Sequence, residues 1–176
     1  ALASLLGEEL GAMDVYLLPK DAAASLITAR EHAFYAAQSR GFHDVIDVVV
    51  PRASLPEYMA LVAAIGQEHS TGIVGCGHAG DGNVHMSILQ PDPEILHTIM
   101  RKLLKGGIDL GGAISGEHGI GREKKAYLAE FGDPVQVSLM RGVKAAFDPD
   151  GILNPGVIFD GESGTGAAAN DGQDDQ

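Results

Sequence analysis

The fold is decided largely by residues 71–89, which read TGIVGCGHAGDGNVHMSIL. Two mostly apolar segments flank a glycine-rich turn at residues 80–82, and a turn this short joins neighbouring antiparallel strands. Side chains alternate between the two faces of a strand, so the apolar residues at 84, 86 and 88 are predicted to enter the core. The opposite face, with Asn83, His85 and Ser87, is then either a functional site or a solvent-exposed surface.

The rest of the chain alternates between helical and strand-like patterns. Further strands are predicted at residues 14–18 and 45–50, and helices are predicted at residues 2–11, 22–40, 54–67, 93–105, 123–131 and 134–147. Helices between strands could build a parallel sheet, but the short hairpin requires antiparallel pairing. We therefore predict an α+β fold, with an antiparallel sheet and helices packed on one face.

Length and charge limit the class of protein. The chain has 176 residues, enough for one domain, and a formal net charge of −12. We predict an ordered domain over residues 1–159 and a disordered, acidic and glycine-rich tail over residues 160–176. No basic face is available to displace counterions, which argues against a nucleic-acid partner. The chain also begins within a helix-like pattern, so we expect a fragment of a longer protein.

The chain shows no sign of export or membrane insertion. No signal peptide is recognisable, and no apolar run approaches the ~20 residues that span a bilayer. The only cysteine, Cys76, cannot form an internal disulfide, which suits a reducing compartment, and its apolar neighbours predict burial. We expect a cytoplasmic protein, with any membrane association peripheral.

Two histidines, His78 and His85, flank the hairpin turn. If the two strands pair, the imidazoles can come within a few ångströms of each other on a rigid backbone, an arrangement that suits a divalent metal. The alternative is an ordinary hairpin, because Asp and Asn are common turn residues and His is tolerated beside them.

A second polar cluster follows about thirty residues later, where Glu117 and His118 lie between Gly116 and Gly119. In a glycine-flanked loop both side chains can face one cavity, so Glu117 can complete a metal site of two histidines and one carboxylate. His118 is then free to act as a general base. A polar helix start is the alternative interpretation. The same ligand set also occurs in non-haem iron oxygenases, and a non-catalytic metal-binding module is a third possibility.

Arg30 lies in the predicted helix over residues 22–40, among small and apolar residues. It is either an exposed arginine with a packed aliphatic stem or a bidentate clamp on a substrate carboxylate.

An ordered series of motifs resembles a known family. The series comprises DVVVPR at residues 47–52, HAGDGNVH at 78–85, ISGEHGIG at 114–121, FDP at 147–149 and ILNPG at 152–156. It is similar to the C-terminal (cap) domain of FAD-linked oxidases of the D-lactate dehydrogenase, glycolate oxidase and D-2-hydroxyglutarate dehydrogenase type. The resemblance covers residues 14–159.

The resemblance implies a ferredoxin-like antiparallel sheet that covers the substrate side of a flavin. It also implies oxidation of a D-2-hydroxy acid to the 2-oxo acid, with FAD bound mainly by an N-terminal domain of the same protein. Nothing in this chain resembles a dinucleotide-binding loop. This chain alone is therefore expected to be inactive.

The resemblance also assigns roles to individual residues. His78, His85 and Glu117 match metal ligands, with zinc or manganese as the metal, and His118 matches the catalytic base. Arg30 and Asn83 match substrate-binding residues. Asn83 and Asn154 are expected near the flavin.

Overall fold

The computed structural model describes residues 2–32 and 44–160. Three strands, β1 (Asp44–Val49), β2 (Gly72–His78) and β3 (Asn83–Leu89), form one sheet in the order β1-β3-β2. Both neighbouring pairs run antiparallel. The predicted β2–β3 hairpin and the α+β class are therefore confirmed.

Six α-helices accompany the sheet in the described residues: α1 (Leu2–Ser4), which continues as a π-helical turn (Leu5–Glu9), α2 (Lys20–Glu31), α3 (Leu55–Glu68), α4 (Pro93–Asp109), α5 (Lys125–Phe131) and α6 (Pro134–Phe147). A 3-10 turn at Arg52–Ser54 leads into α3. The Asp92 carboxylate caps α4 by accepting hydrogen bonds from the backbone N–H groups of Glu94 (2.9 Å) and Ile95 (3.1 Å). A proline follows the capping aspartate in both α4 and α6, where its missing N–H costs nothing.

The hydrophobic core lies between one face of the sheet and helices α3 and α4. The strands contribute apolar side chains from alternate positions, namely Ile46, Val48, Val84, Met86 and Ile88. The helices contribute one stripe each: Tyr58, Val62 and Ile65 from α3, and Ile99, Met100, Leu103 and Leu104 from α4. The alternation predicted for β3 is confirmed. Because the helices cover this face, the polar side chains of the other face remain available for a site.

Several local predictions are wrong. Residues 14–18 form no strand, and Leu17 is 97% exposed, because strand-like residues need a neighbouring strand and no described strand pairs with them. Cys76 is exposed, because it lies on the face of β2 away from the helices. The predicted helix over 22–40 is found as Lys20–Glu31; residues 33–43 and 161–176 lie outside the described residues.

Helix α6 carries a row of exposed apolar side chains at four-residue spacing: Val135, Leu139, Val143 and Phe147, which are 59–81% exposed. Residues four apart lie on one side of a helix, so the row forms a continuous apolar strip. None of the described helices combines the length and the apolar character that crossing a bilayer requires.

Candidate functional site

The strand register places the site residues in rows across one face of the sheet. His85 of β3 pairs with Asp47 of β1 and with Cys76 of β2. Two residues before His85 on β3, Asn83 pairs with His78 of β2. Directly paired residues share a face, so these side chains all lie on the face opposite the core.

A loop at residues 113–119 follows the outer edge of β1. Val49 and Ala113 exchange two backbone hydrogen bonds of 3.2 and 2.8 Å, and the Gly116 N–H donates to the Asp47 carbonyl at 3.2 Å. Gly112 permits this approach, because a Cβ there would lie only 2.1 Å from the Val49 carbonyl oxygen. The loop thereby carries Glu117 and His118 to the two histidines of the hairpin.

The three predicted metal ligands lie together. Glu117 Oε1 is 3.3 Å from His78 Nε2 and 2.9 Å from His85 Nε2, and one donor atom from each residue lies within 4.8 Å of the others. The His78 and Glu117 side chains are 46% and 52% exposed, whereas that of His85 is 14% exposed. The donor atoms thus form a group that is accessible from one side and supported by the sheet on the other.

His118 joins the same cluster. Its ring stacks on that of His85, with centroids 4.7 Å apart and an interplanar angle of 18°. The His78 ring meets His85 edge-on, at 5.3 Å and 80°. Asp47, His85 and His118 also bring one donor atom each within 4.8 Å, so His85 belongs to two overlapping groups of donors.

Asp47 is a site residue that the sequence analysis missed. Its side chain is 2% exposed, and Oδ2 accepts hydrogen bonds from Ser115 Oγ (3.1 Å) and from three successive backbone N–H groups, those of residues 116 (2.9 Å), 117 (2.8 Å) and 118 (2.7 Å). Burial raises the pKa of Asp47, but the hydrogen bonds from the loop outweigh burial and hold this pKa below its ordinary value. The side chain therefore remains a carboxylate, held in a nest of N–H groups.

The other oxygen of Asp47 points to His85. Asp47 Oδ1 lies 3.4 Å from His85 Nδ1, and both atoms are buried without a hydrogen-bond partner. A charged residue between Ile46 and Val48, in the middle of a buried strand, is the signal that could have identified Asp47 from the sequence.

Asn83 lies beside the cluster. It is 6% exposed, and its Oδ1 makes no hydrogen bond. Gly116 of the loop lies directly against the Asn83 carboxamide. A Cβ added to Gly116 would be only 2.6 Å from the terminal atoms of the Asn83 side chain. The hairpin and the loop are thus in close contact at this point.

Two predicted site residues remain, Arg30 and Asn154. Arg30 belongs to α2, but its side chain lies outside the part of the chain that the structure describes. Asn154 is exposed in the closing segment, with a positive φ of 48°. That segment meets the end of the site loop, where the Ile158 N–H donates to the Gly121 carbonyl at 3.0 Å. No hydrogen bond found among the described residues joins Asn154 to the imidazoles.

A cleft of about 710 Å³ lies next to the site loop, with a largely apolar lining that includes Ile114, Leu128, Phe131 and Met140. Glu117 is also part of this lining, but none of the three imidazoles is. The cleft therefore borders the donor cluster without containing it.

The sequence profile of the family described as "FAD linked oxidases, C-terminal domain" matches residues 2–158. An uncharacterized FAD-linked oxidoreductase of Mycobacterium tuberculosis is 53% identical over 151 residues, which cover 86% of this chain and 33% of the relative.

Two more distant relatives carry functional names. A D-lactate dehydrogenase of Archaeoglobus fulgidus is 35% identical over 89% of this chain and 35% of its own length. The glycolate oxidase subunit GlcD of Escherichia coli is 36% identical over 83% of this chain and 31% of its own length. The chain thus spans about a third of the length of the curated relatives it matches.

The family profile covers nearly all the described residues, including both strands of the hairpin and the loop that carries Glu117 and His118. The chain belongs to the FAD-linked oxidases, as a C-terminal domain of that family.

Proposed function

We propose that this chain is the substrate-side domain of an FAD-dependent oxidoreductase that oxidises a D-2-hydroxy acid, such as D-lactate or glycolate, to the 2-oxo acid. The observation that carries the proposal is the convergence of donor atoms from His78, His85 and Glu117 beside a further imidazole, that of His118. The names of two relatives, a D-lactate dehydrogenase and a glycolate oxidase subunit, support the substrate class.

The proposed metal ligands are His78 Nε2, His85 Nε2 and one oxygen of Glu117, with Zn²⁺ or Mn²⁺ as the ion. Glu117 Oε1 lies 3.3 Å from His78 Nε2 and 2.9 Å from His85 Nε2. In a tetrahedral zinc site with bonds of about 2.0 Å, neighbouring ligand atoms are roughly 3.3 Å apart, so these residues fit such an ion. A divalent cation bound there would act as a Lewis acid and make a coordinated hydroxyl more acidic. Three protein ligands leave a position for substrate.

His118 is proposed as the general base. The stacking contact with His85 holds its ring beside the ligand group, and its backbone N–H is fixed by Asp47. Its exposed imidazole can accept the α-hydroxyl proton of a substrate that lies against the ligand group. Loss of that proton, together with the hydrogen and electron pair on the α-carbon, converts the hydroxy acid to the oxo acid. FAD, when bound, supplies the two-electron acceptor.

Three further residues complete the proposed site. Arg30 is proposed to bind the substrate carboxylate, since a guanidinium can pair with it bidentately. Asn83 is proposed to contact substrate and flavin. Its position on the face that carries His85, with Oδ1 free of hydrogen bonds, supports this role. Asn154 is proposed to lie near the flavin ring.

FAD is proposed to be held mainly by an N-terminal domain of the same polypeptide, so that this chain alone would not turn over. Two facts support this division. The matched relatives are about three times as long as the region that they share with this chain. In addition, the strip on α6 exposes apolar side chains, including Leu139 and Val143, that a neighbouring domain could cover.

The test uses the full-length flavoenzyme. His118→Gln should slow flavin reduction by substrate by roughly 10²–10⁴-fold, the usual contribution of a general base, while FAD and metal contents stay at one per chain. His97→Gln is the matched control, because His97 lies on α4 and hydrogen-bonds Tyr127 Oη at 2.8 Å. Near-normal reduction in His118→Gln would reject the base assignment. Substrate oxidation by this chain with only Fe²⁺ and oxygen would instead favour an iron oxygenase.

A further inference from the structure

We propose that Asp47 is a positioning residue that orients the His85 ring and fixes its tautomer for metal binding. The inference rests on the proposed metal site, and it concerns a residue whose side chain is only 2% exposed and is therefore closed to direct contact with substrate. It follows from three features of the carboxylate: where it is held, what its free oxygen faces, and which parts of the site it connects.

The Asp47 carboxylate is fixed by the loop. Oδ2 accepts four hydrogen bonds of 2.7–3.1 Å, all from residues 115–118, and the side chain is only 2% exposed. Hydrogen bonds to a charged group are the stronger kind, and several on one oxygen leave the carboxylate little freedom to rotate. The position of Oδ1 is therefore set as well.

Oδ1 faces the nitrogen of His85 that is not directed to the metal ligands. The Asp47 Oδ1–His85 Nδ1 distance is 3.4 Å, and His85 Nε2 on the other side of the ring lies 2.9 Å from Glu117 Oε1. A movement of a few tenths of an ångström would bring Oδ1 and Nδ1 within ordinary hydrogen-bond distance. A proton on Nδ1, directed to Oδ1, leaves the Nε2 lone pair free for a cation.

The same carboxylate connects the two parts of the site. Oδ2 holds the loop that carries Glu117 and His118, and Oδ1 faces His85 on the sheet. Any shift of Asp47 would therefore move the loop ligand and the strand ligand relative to each other. A single buried carboxylate thus sets both the spacing of the ligands and the orientation of the central imidazole.

Asp47→Asn tests the inference. The amide oxygen can still accept the loop hydrogen bonds, but the amide N–H group would then face His85 Nδ1 and favour an unprotonated Nδ1 with the proton on Nε2. We expect the Zn²⁺ dissociation constant, measured by calorimetry, to rise by about 10–100-fold, as for other residues that orient metal-binding histidines. The comparison variant is Ser115→Ala, which removes the hydrogen bond from Ser115 Oγ to Oδ2 and the one that Ser115 Oγ accepts from the Gly119 N–H, but leaves three N–H donors on Oδ2 and Oδ1 facing His85. It should weaken zinc binding less than Asp47→Asn does.

A second measurement uses the wild-type chain and so does not depend on folding of the variant. Nitrogen-15 NMR of the zinc-loaded protein should show His85 bound through Nε2, with a proton on Nδ1. Binding of zinc through Nδ1, unchanged affinity in Asp47→Asn, or an equal loss in Ser115→Ala would each overturn the role of Asp47. A wild-type chain that binds no zinc would overturn the proposed metal site itself, and this inference with it.

Discussion

The contact between Gly116 and Asn83 predicts a measurable cost for one added methyl group. In Gly116→Ala, the new Cβ would lie 2.6 Å from the terminal atoms of Asn83, against 3.4 Å or more in ordinary contact, so one of them must move by about 0.8 Å. Asn83 has little room, because it is buried and paired with Val49 on one side and His78 on the other.

Overpacking of this kind costs about 1–3 kcal/mol, which for a chain of this size corresponds to a melting temperature lower by about 2–12 °C. Movement of the loop would also displace Glu117, so zinc affinity should fall in the same variant. Thermal unfolding followed by circular dichroism measures the first effect, and calorimetric zinc titration measures the second.

The same substitution at Gly142 is the control. Gly142 lies inside α6, and a Cβ there would meet nothing within 4 Å. Alanine is favoured over glycine in a helix by roughly 0.5–1 kcal/mol, so Gly142→Ala should stabilise the chain. If Gly116→Ala proves as stable as the wild type, or if both variants shift in the same direction, the reasoning from this contact is refuted.

Three more predictions follow from the structure. Gly82→Ala should destabilise the hairpin by at least about 1 kcal/mol in denaturant unfolding, because Gly82 has a φ of +78° and a Cβ would lie 2.0 Å from the Val50 carbonyl oxygen; a stability equal to the wild type would contradict this. The pKa of Asp47 is lower in the folded chain than its ordinary value of 3.8, so the ionised carboxylate stabilises the fold at pH values above 3.8. This stabilisation is lost as the pH falls through the pKa that Asp47 has in the folded chain. The stability difference between wild type and Asp47→Asn should therefore shrink below about pH 4, and a difference that stays constant would count against it. Leu139→Gln on the exposed strip should leave the stability of this chain within about 0.5 kcal/mol of the wild type but increase FAD loss from the full-length protein; unchanged FAD retention would argue against docking at α6.

The parts of the fold that were predictable from sequence are those set by local patterns. The alternation of apolar residues in β3 and the short turn at residues 80–82 define a hairpin without reference to the rest of the chain, and both are found. Residues 14–18 have the same strand-like composition, but none of the three described strands pairs with them and they form no strand. A high strand propensity means only that a segment fits into a sheet. Whether it forms a strand depends on whether the rest of the fold places another strand beside it.

The residues of the candidate site also differ in how far local sequence patterns could predict them. His78 and His85 could be related from sequence because they share one hairpin, and Glu117 and His118 could be singled out because glycines flank them. The charge of Asp47 inside a buried strand marks the residue in the sequence, but its role could not be predicted, because that role depends on contacts with residues 68–71 positions further along the chain. The meeting of the loop with the edge of β1 creates these contacts, and no local pattern encodes that meeting.

The central claim is that His78, His85 and Glu117 hold one divalent cation. Anomalous scattering at the zinc absorption edge, from crystals of this chain grown with Zn²⁺, tests it most directly. We predict a single strong peak about 2.0–2.2 Å from His78 Nε2, His85 Nε2 and one oxygen of Glu117. The absence of a peak there under saturating zinc, or a peak held by Asp47 and His118 instead, would contradict the account.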